Sequence, residues 1–274
     1  MSVPGLRVTG ATRVCGIVGT PLRAAQAPAS MNALASRRGI DLAVIPIEIA
    51  DDGLDGLFIA VRAWENLAGL VVTMPYKSRV LPLVDSVTPR AAVAGNVNVV
   101  RRMPDGHLAG DQLDGAAMVR CLQRAEVPVR GSRIALLGAG GVASSIAFAL
   151  ADELPAAISV INRSPGRAQE LVRRLTALAP AISVGVGQVR DLASADLVIN
   201  ATSVGSLINP GLALPVELIS ARTVVADVVT APDPTELLRA AAGAGCRVVS
   251  GMDMQRAQLD DIFAFLDVAT QAAR

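Results

Sequence analysis

The chain has 274 residues, is 52% hydrophobic but only 2% aromatic, and carries a formal charge of +1 at neutral pH. That length holds one large or two modest domains with cores built from Ala, Val, Leu and Ile, and the charge argues against a polyanion-binding surface. No basic cluster with interleaved aromatics appears, so no nucleic-acid partner is expected. With His107 as the one histidine, a His-based metal centre and a Ser/His/Asp triad are both set aside, and no metal is expected.

Cys15, Cys121 and Cys246 are widely spaced, which suits a reducing cytoplasm. The N-terminus lacks the apolar core and cleavage site of a signal peptide. Ile134–Ala151 is uncharged and of membrane-spanning length, but its internal glycines read better as a turn between strand and helix. A soluble, cytoplasmic protein is the expectation.

Apolar runs alternate with helical patterns from end to end, the signature of an α/β fold with a parallel sheet and helices on its faces. Strands are expected at Val14–Gly19, Leu42–Ile49 and Gly69–Thr73, with helices near Ala29–Arg38, Leu54–Glu65 and Tyr76–Leu83. Val97–Arg101 and His107–Gly110 flank an Asp-Gly turn and predict a hairpin. Asp114–Arg124 predicts a connecting helix. The second half continues with strands at 133–137, 157–161, 182–186, 196–200, 223–227 and 246–249. Helices fall near 142–151, 165–178 and 234–243, and Gly251–Ala269 ends the chain as a longer helix.

The stretch Gly138-Ala139-Gly140-Gly141-Val142-Ala143 joins an apolar strand to a helix, the order that builds a dinucleotide phosphate site. Gly138 permits the tight turn, Gly140 lets backbone approach the pyrophosphate, and Ala143 is small enough for helix–strand packing. The helix N-terminus offers N–H groups and a positive dipole end. At the end of the next strand, NAD enzymes usually place an acid for the ribose 2′-OH. Here stand Asn162-Arg163-Ser164, with Arg167 one turn on. Two guanidiniums and a hydroxyl suit a 2′-phosphate, which favours NADP(H) over NAD(H). The plain alternative is a solvated helix start capped by Ser164.

Thr73-Met74-Pro75-Tyr76-Lys77 follows a strand, and Pro75 fits the first position of a helix. Lys77 would lie in its first turn, where the dipole lowers a lysine pKa toward the proton-transfer range; a surface lysine is the alternative. Asp114 is either a helix N-cap or the partner of Lys77 across a cleft between the two halves. Asn98, on a hairpin strand, and Gln258, on the terminal helix, are amides whose isolated meaning is weak.

Taken in order, Val72–Lys77, Gly95–Asn98, Gly110–Gly115, Gly138–Ala143, Asn162–Ser164, Asn200–Gly205 and Gly251–Gln258 make the chain resemble the shikimate dehydrogenase family over nearly its whole length. The resemblance implies an N-terminal α/β substrate domain (1–114 plus 252–274) and a Rossmann-type NADP-binding domain (115–251). It implies a catalytic pair Lys77 and Asp114, and substrate binding by Thr73, Asn98 and Gln258. Cofactor contacts would come from Gly138–Ala143, Asn162, Arg163, Ser164, Arg167, Ala201, Thr202, Val204 and Gly251. Hydride would pass between NADP(H) and a secondary alcohol or ketone of a shikimate- or quinate-like small molecule, as in aromatic amino acid biosynthesis. A homodimer is left open.

The departures are informative. The family typically carries Ser-x-Ser-Pro after Gly19-Thr20-Pro21, and those hydroxyls grip the substrate carboxylate; here stand Ala25, Gln26, Ala27 and Pro28. A family asparagine is Val71, the Asn-Thr-Asp element is Gln112-Leu113-Asp114, and a family tyrosine is Thr230. A hydrogen bond to a charged group contributes roughly 1.5–3 kcal/mol. Losing two costs roughly 3–6 kcal/mol, on the order of 10²–10⁴ in affinity. Arg23 is a candidate replacement. An apolar wall at Ala25 and Ala27 would exclude a carboxylate; an inward Arg23 would restore one. Retained redox chemistry on a changed substrate is the expectation, with a non-catalytic NADP(H)-binding regulator or a methylene-tetrahydrofolate-type dehydrogenase as alternatives.

Overall fold

The computed structural model describes residues 8–268 and divides into two compact units, residues 1–113 with 258–274, and residues 114–257. Unit 1 opens with β1 (Arg13–Gly19), α1 (Ala27–Arg38), β2 (Leu42–Glu48), α2 (Leu54–Arg62) and β3 (Leu67–Val72). It continues with α3 (Lys77–Val80), β4 (Ser86–Val87), α4 (Pro89–Ala94), β5 (Val99–Arg102) and β6 (Leu108–Asp111). Its sheet runs β2-β1-β3-β5-β6-β4.

This sheet is mixed rather than wholly parallel: β1 runs with β2 and β3, whereas β5 is antiparallel to both β3 and β6. The β5–β6 pairing follows from the Pro104-Asp105-Gly106 turn, which returns the chain directly and leaves no room for a crossover helix. β4 and α4 lie outside the predicted elements. The short β4 lies parallel to β6, and Thr88 caps α4, its hydroxyl accepting from the Ala91 N–H at 3.4 Å.

Unit 2 holds α5 (Asp114–Arg124), β7 (Arg133–Leu137), α6 (Gly141–Asp152), β8 (Ala157–Ile161), α7 (Pro165–Leu178) and β9 (Ser183–Val186). Then come β10 (Leu197–Asn200), β11 (Val224–Asp227), α8 (Glu236–Gly243), β12 (Arg247–Val249) and the start of α9 (Gly251–Phe265), whose residues from Gln258 on belong to unit 1. Every neighbouring pair in the order β12-β11-β10-β7-β8-β9 is parallel. Ala269, to which the sequence extends the last helix, lies outside the described residues.

Period-two alternation places the cores. In unit 1, Cys15 and Ile17 of β1 join Met31 and Leu34 of α1 and Leu259, Ile262 and Phe263 of α9. On the other face Val18, Leu70 and Val100 pack with Leu54, Phe58 and Val61 of α2. In unit 2, Leu137, Val198 and Val225 meet Leu237, Leu238 and Ala241 of α8. α5 and α6 approach closely at Gly115, where an added Cβ would stand 2.3 Å from the Ser145 carbonyl oxygen. No helix among the described residues is long and apolar enough to cross a membrane.

Candidate functional site

In unit 1, parallel β1, β3 and β6 end at the edge where antiparallel β5 begins, and backbone bonds gather Thr73, Lys77 and Asn98 there, with Gln258 joined through a side chain. The Thr73 N–H donates to the Val18 carbonyl at 2.8 Å, and the Tyr76 N–H donates back to Thr73 at 3.0 Å. The Lys77 carbonyl accepts from the Val97 N–H at 2.9 Å, tying α3 to the segment before β5. The Asn98 N–H donates to the Asp111 carbonyl at 2.9 Å. Its Oδ1 accepts the Leu113 N–H at 2.8 Å, and its Nδ2 donates to Gln258 Oε1 at 3.3 Å.

Two local expectations change. Thr73–Tyr76 closes a turn of its own, so Pro75 precedes the helix instead of opening it, and α3 is a single turn beginning at Lys77. Its dipole is correspondingly small. Asn98 sits one residue ahead of β5, not within it.

Beneath this edge lies an anchor that sequence reasoning missed. Asp111 is fully buried and accepts from Arg90 Nε at 2.7 Å, from a second Arg90 nitrogen, from the Thr88 hydroxyl and from the Gln112 N–H at 2.7 Å. Burial pushes this carboxyl up, but the Arg90 and Thr88 hydrogen bonds outweigh it and hold it below the usual carboxylate range. Gln112 in turn donates to buried Asn96. Their separation of 21 residues left Arg90 and Asp111 without a sequence signal.

At the amino end of α1, whose N-cap is Gln26, two alanines turn inward. Ala25 and Ala27 pack against the cluster containing Leu22, Met31, Val71, Val99 and Leu259, the last three being close chain neighbours of Thr73, Asn98 and Gln258. Arg23 is exposed. Glu48, at the end of β2, accepts from the Thr20 hydroxyl and the Leu22 N–H, each at 3.3 Å.

In unit 2 the Gly138–Ala143 stretch turns from β7 into α6. Gly138 has φ +109°, and an added Cβ would meet the Ala201 carbonyl oxygen at 3.0 Å. Only glycine takes that conformation without strain. At Gly140 a Cβ would meet nothing within 4 Å, so the backbone there faces open space. Ala143 is fully buried against its surroundings, and Ala139, Gly141 and Val142 line the entry to α6. This combination of open backbone and a helix N-terminus fits a phosphate group.

The Gly138 N–H donates to the Ile161 carbonyl at 2.8 Å, which sets the end of β8 beside the turn. Asn162 Nδ2 donates to the Ser164 carbonyl at 2.9 Å. Ser164 occupies the N-cap position of α7, and its hydroxyl makes no capping bond. Arg163, Ser164 and Arg167 are exposed, and no ion pair among the described residues engages either arginine.

The Ala201–Gly205 loop is held by Asn200, whose Oδ1 accepts from the Thr202 N–H at 3.1 Å and hydroxyl at 2.6 Å, and whose Nδ2 donates to the Val204 carbonyl at 3.0 Å. That Nδ2 also donates to buried Asp227 at 2.9 Å, which accepts from Thr235 and the Val229 N–H as well. Burial raises the Asp227 pKa despite these donors. Gly251 begins α9 against Val229, whose carbonyl oxygen would lie 2.3 Å from an added Cβ. Asp114, the first residue of α5, is buried in unit 2. No group of three metal-ligating side chains occurs among the described residues.

A parallel six-stranded sheet with its glycine turn after a central strand defines a Rossmann-type unit, here in one chain with a mixed-sheet unit. Residues 17–100 match the family described as Shikimate dehydrogenase substrate binding domain, and 121–211 match Shikimate / quinate 5-dehydrogenase. The shikimate dehydrogenase (NADP(+)) of Rhodospirillum rubrum is 33% identical over 90% of this chain and 89% of that one. Among solved structures, shikimate 5-dehydrogenase from Thermus thermophilus, in complex with NADP(H) and shikimate, has a TM-score of 0.80 at 27% identity, covering 93% of each chain. Ligand-free 5-ketofructose reductase of Gluconobacter sp. strain CHM43 has a TM-score of 0.81 at 27% identity, covering 95% of this chain and 97% of that one. The chain belongs to the shikimate dehydrogenase family.

Proposed function

We propose that this chain is an NADP(H)-dependent dehydrogenase that interconverts a secondary alcohol and a ketone on a small polyhydroxylated molecule of the shikimate or quinate type. Unit 2 holds the dinucleotide: the N–H end of α6 and the open backbone at Gly140 receive the pyrophosphate, while Arg163, Ser164 and Arg167 take the 2′-phosphate. Thr202, Val204 and Gly251 line the remainder of that edge, with Ala201 behind the turn. When bound, the nicotinamide accepts or supplies the hydride.

Unit 1, with the end of α9, holds the substrate. Thr73, Asn98 and Gln258 bond its hydroxyls. Lys77, as the neutral amine, takes the hydroxyl proton as the alcohol is oxidised and returns it in the reverse direction; Asp114 is the second member of the catalytic pair that the family resemblance implies. The observation that carries this reading is the unfilled space over Gly140 beside arginines without acidic partners, in a chain whose relatives are named for NADP(+).

The test is a cofactor-reduction assay with NADP+ and NAD+ in parallel, run over cyclic and open-chain polyols and hydroxy acids. Reduction of NADP+ in clear preference to NAD+ is expected. Tight NADPH binding with no turnover on any alcohol or ketone would instead make the chain a binding regulator.

A further inference from the structure

We infer that the buried carboxylate Asp227 is a positioning residue for the dinucleotide. Acting through Asn200, it sets the loop after β10 against the glycine turn, and so shapes the seat of the cofactor half that lies beyond the pyrophosphate. This rests on the dinucleotide-binding reading of unit 2 and adds a residue to that site.

Sheet order gives the loop its place. β7 lies between β8 and β10, and all three are parallel. Their carboxyl ends therefore carry, side by side, Arg163 and Ser164 after β8, the glycine turn after β7 and Ala201–Gly205 after β10. With the 2′-phosphate over β8 and the pyrophosphate over β7, the rest of the dinucleotide falls beside the β10 loop. The loop meets the turn directly: a Cβ on Gly138 would stand 3.0 Å from the Ala201 carbonyl oxygen and 3.2 Å from Thr202 Cγ2. The Ala201 N–H donates to the Leu137 carbonyl at 2.8 Å, which fixes the first residue of the loop.

Beyond Ala201 the loop is shaped by the Asn200 amide, whose orientation is dictated by groups of fixed polarity. The Thr202 N–H can only donate, so it takes Oδ1; the Val204 carbonyl and the Asp227 carboxylate accept, so Nδ2 faces both. Asp227 is itself held from two further sides. Its Oδ1 also accepts the Val229 N–H at 3.0 Å, and its Oδ2 accepts the hydroxyl of Thr235, the residue that caps α8 at the Leu238 N–H. The Asn200 carbonyl accepts from the Val228 N–H at 3.0 Å, which ties the loop after β11 to the same point. Asn200, Asp227 and Thr235 are each 0% exposed, so none meets a ligand and what the network delivers is the shape of the loop. Removing the Asp227 acceptor leaves Nδ2 one of its two bonds, frees the amide to turn and loosens the Oδ1 grip on Thr202.

The test is Asp227→Ala in the full chain, with NADPH and adenosine 2′,5′-bisphosphate titrated by calorimetry beside a melting curve. The bisphosphate keeps the 2′-phosphate but lacks the nicotinamide half. NADPH affinity should fall about tenfold, the worth of one hydrogen bond, while bisphosphate affinity holds within about twofold. Asp227→Asn should restore NADPH affinity, because the Val229 N–H and Asn200 Nδ2 keep the new amide oxygen facing them and turn its NH₂ toward the Thr235 oxygen. A merely structural carboxylate would lower the melting temperature of Asp227→Ala and leave the ratio of the two affinities unmoved. That result, or equal losses for both ligands, would overturn the inference. Should Asp227→Ala not fold, Asn200→Asp places an oxygen in the position of Nδ2 against two acceptors, and the same ratio should move about tenfold. An unmoved ratio in that variant overturns the inference as well. A wild-type chain that binds neither ligand would instead remove the dinucleotide reading itself.

Discussion

The ligand-facing edges of the two units differ in whether recognition and folding use the same atoms. In unit 2 the groups proposed to recognise the cofactor are superficial: Arg163, Ser164 and Arg167 are exposed, and Gly140 faces open space. The scaffold that holds the edge, Asn200 with Asp227 and Thr235, lies below and is buried. In unit 1 the functions merge, because Asn98 both presents an amide and pins Leu113 and Gln258. Its own mount is the buried Asp111 carboxylate, held by the half-exposed Arg90 guanidinium. On the proposed roles, the cofactor edge of unit 2 should tolerate substitution without unfolding its unit, whereas the substrate edge of unit 1 should not.

The largest expected effect sharpens the unit 2 side. Replacing Arg163 and Arg167 together by Ala should lower NADPH affinity by about 10²-fold, or about 2.7 kcal/mol, while NADH affinity and thermal stability stay put. A matching fall in melting temperature would break the separation. On the unit 1 side, Asp111→Asn should cost about 2–3 kcal/mol of stability by denaturant unfolding, since it removes the charge that Arg90 and Thr88 bond. Gly140→Ala comes next. With no protein atom near the new methyl group, stability should hold within about 0.5 kcal/mol, while calorimetric NADPH affinity drops about tenfold.

The smallest effect belongs to the second buried carboxylate. Asp227→Asn should change stability by less than about 1 kcal/mol, because the amide avoids burying a charge that no cation offsets. The two acids also respond to pH with opposite signs. The folded value of Asp111 is depressed, so its contribution is present above the ordinary carboxylate pKa and is lost as pH falls through the folded value. That of Asp227 is raised, so its contribution is present below the ordinary value and is lost as pH rises through the folded one. Relative to wild type, Asp227→Asn should gain stability between acid and neutral pH and Asp111→Asn should lose it.

Unit 2 was legible because its signals are local. Each strand is an apolar run, each helix a periodic one, and Gly138 is required by a backbone angle that its neighbours impose. Unit 1 was legible in its strands and in its candidate polar residues, but not in what holds them. β4, at two residues, is too short for any periodicity, although Thr88-Pro89 carries a cap-plus-proline signal that could have found α4. Glu48 bonding across to Thr20, and Arg90 to Asp111, are tertiary pairings, and a charged residue's partner leaves no trace in its immediate neighbours. The Asn98 amide reads in isolation as a generic polar residue; only the fold shows that it serves three elements.

The direct measurement is of Lys77→Ala, with turnover and NADPH dissociation constant determined on the same preparation. A proton-exchanging lysine in a dinucleotide-dependent dehydrogenase requires kcat to fall about 10²–10⁴-fold with NADPH affinity unchanged. Equal losses in both, or turnover that survives the substitution, would show that Lys77 is a structural or surface lysine and contradict the proposed chemistry.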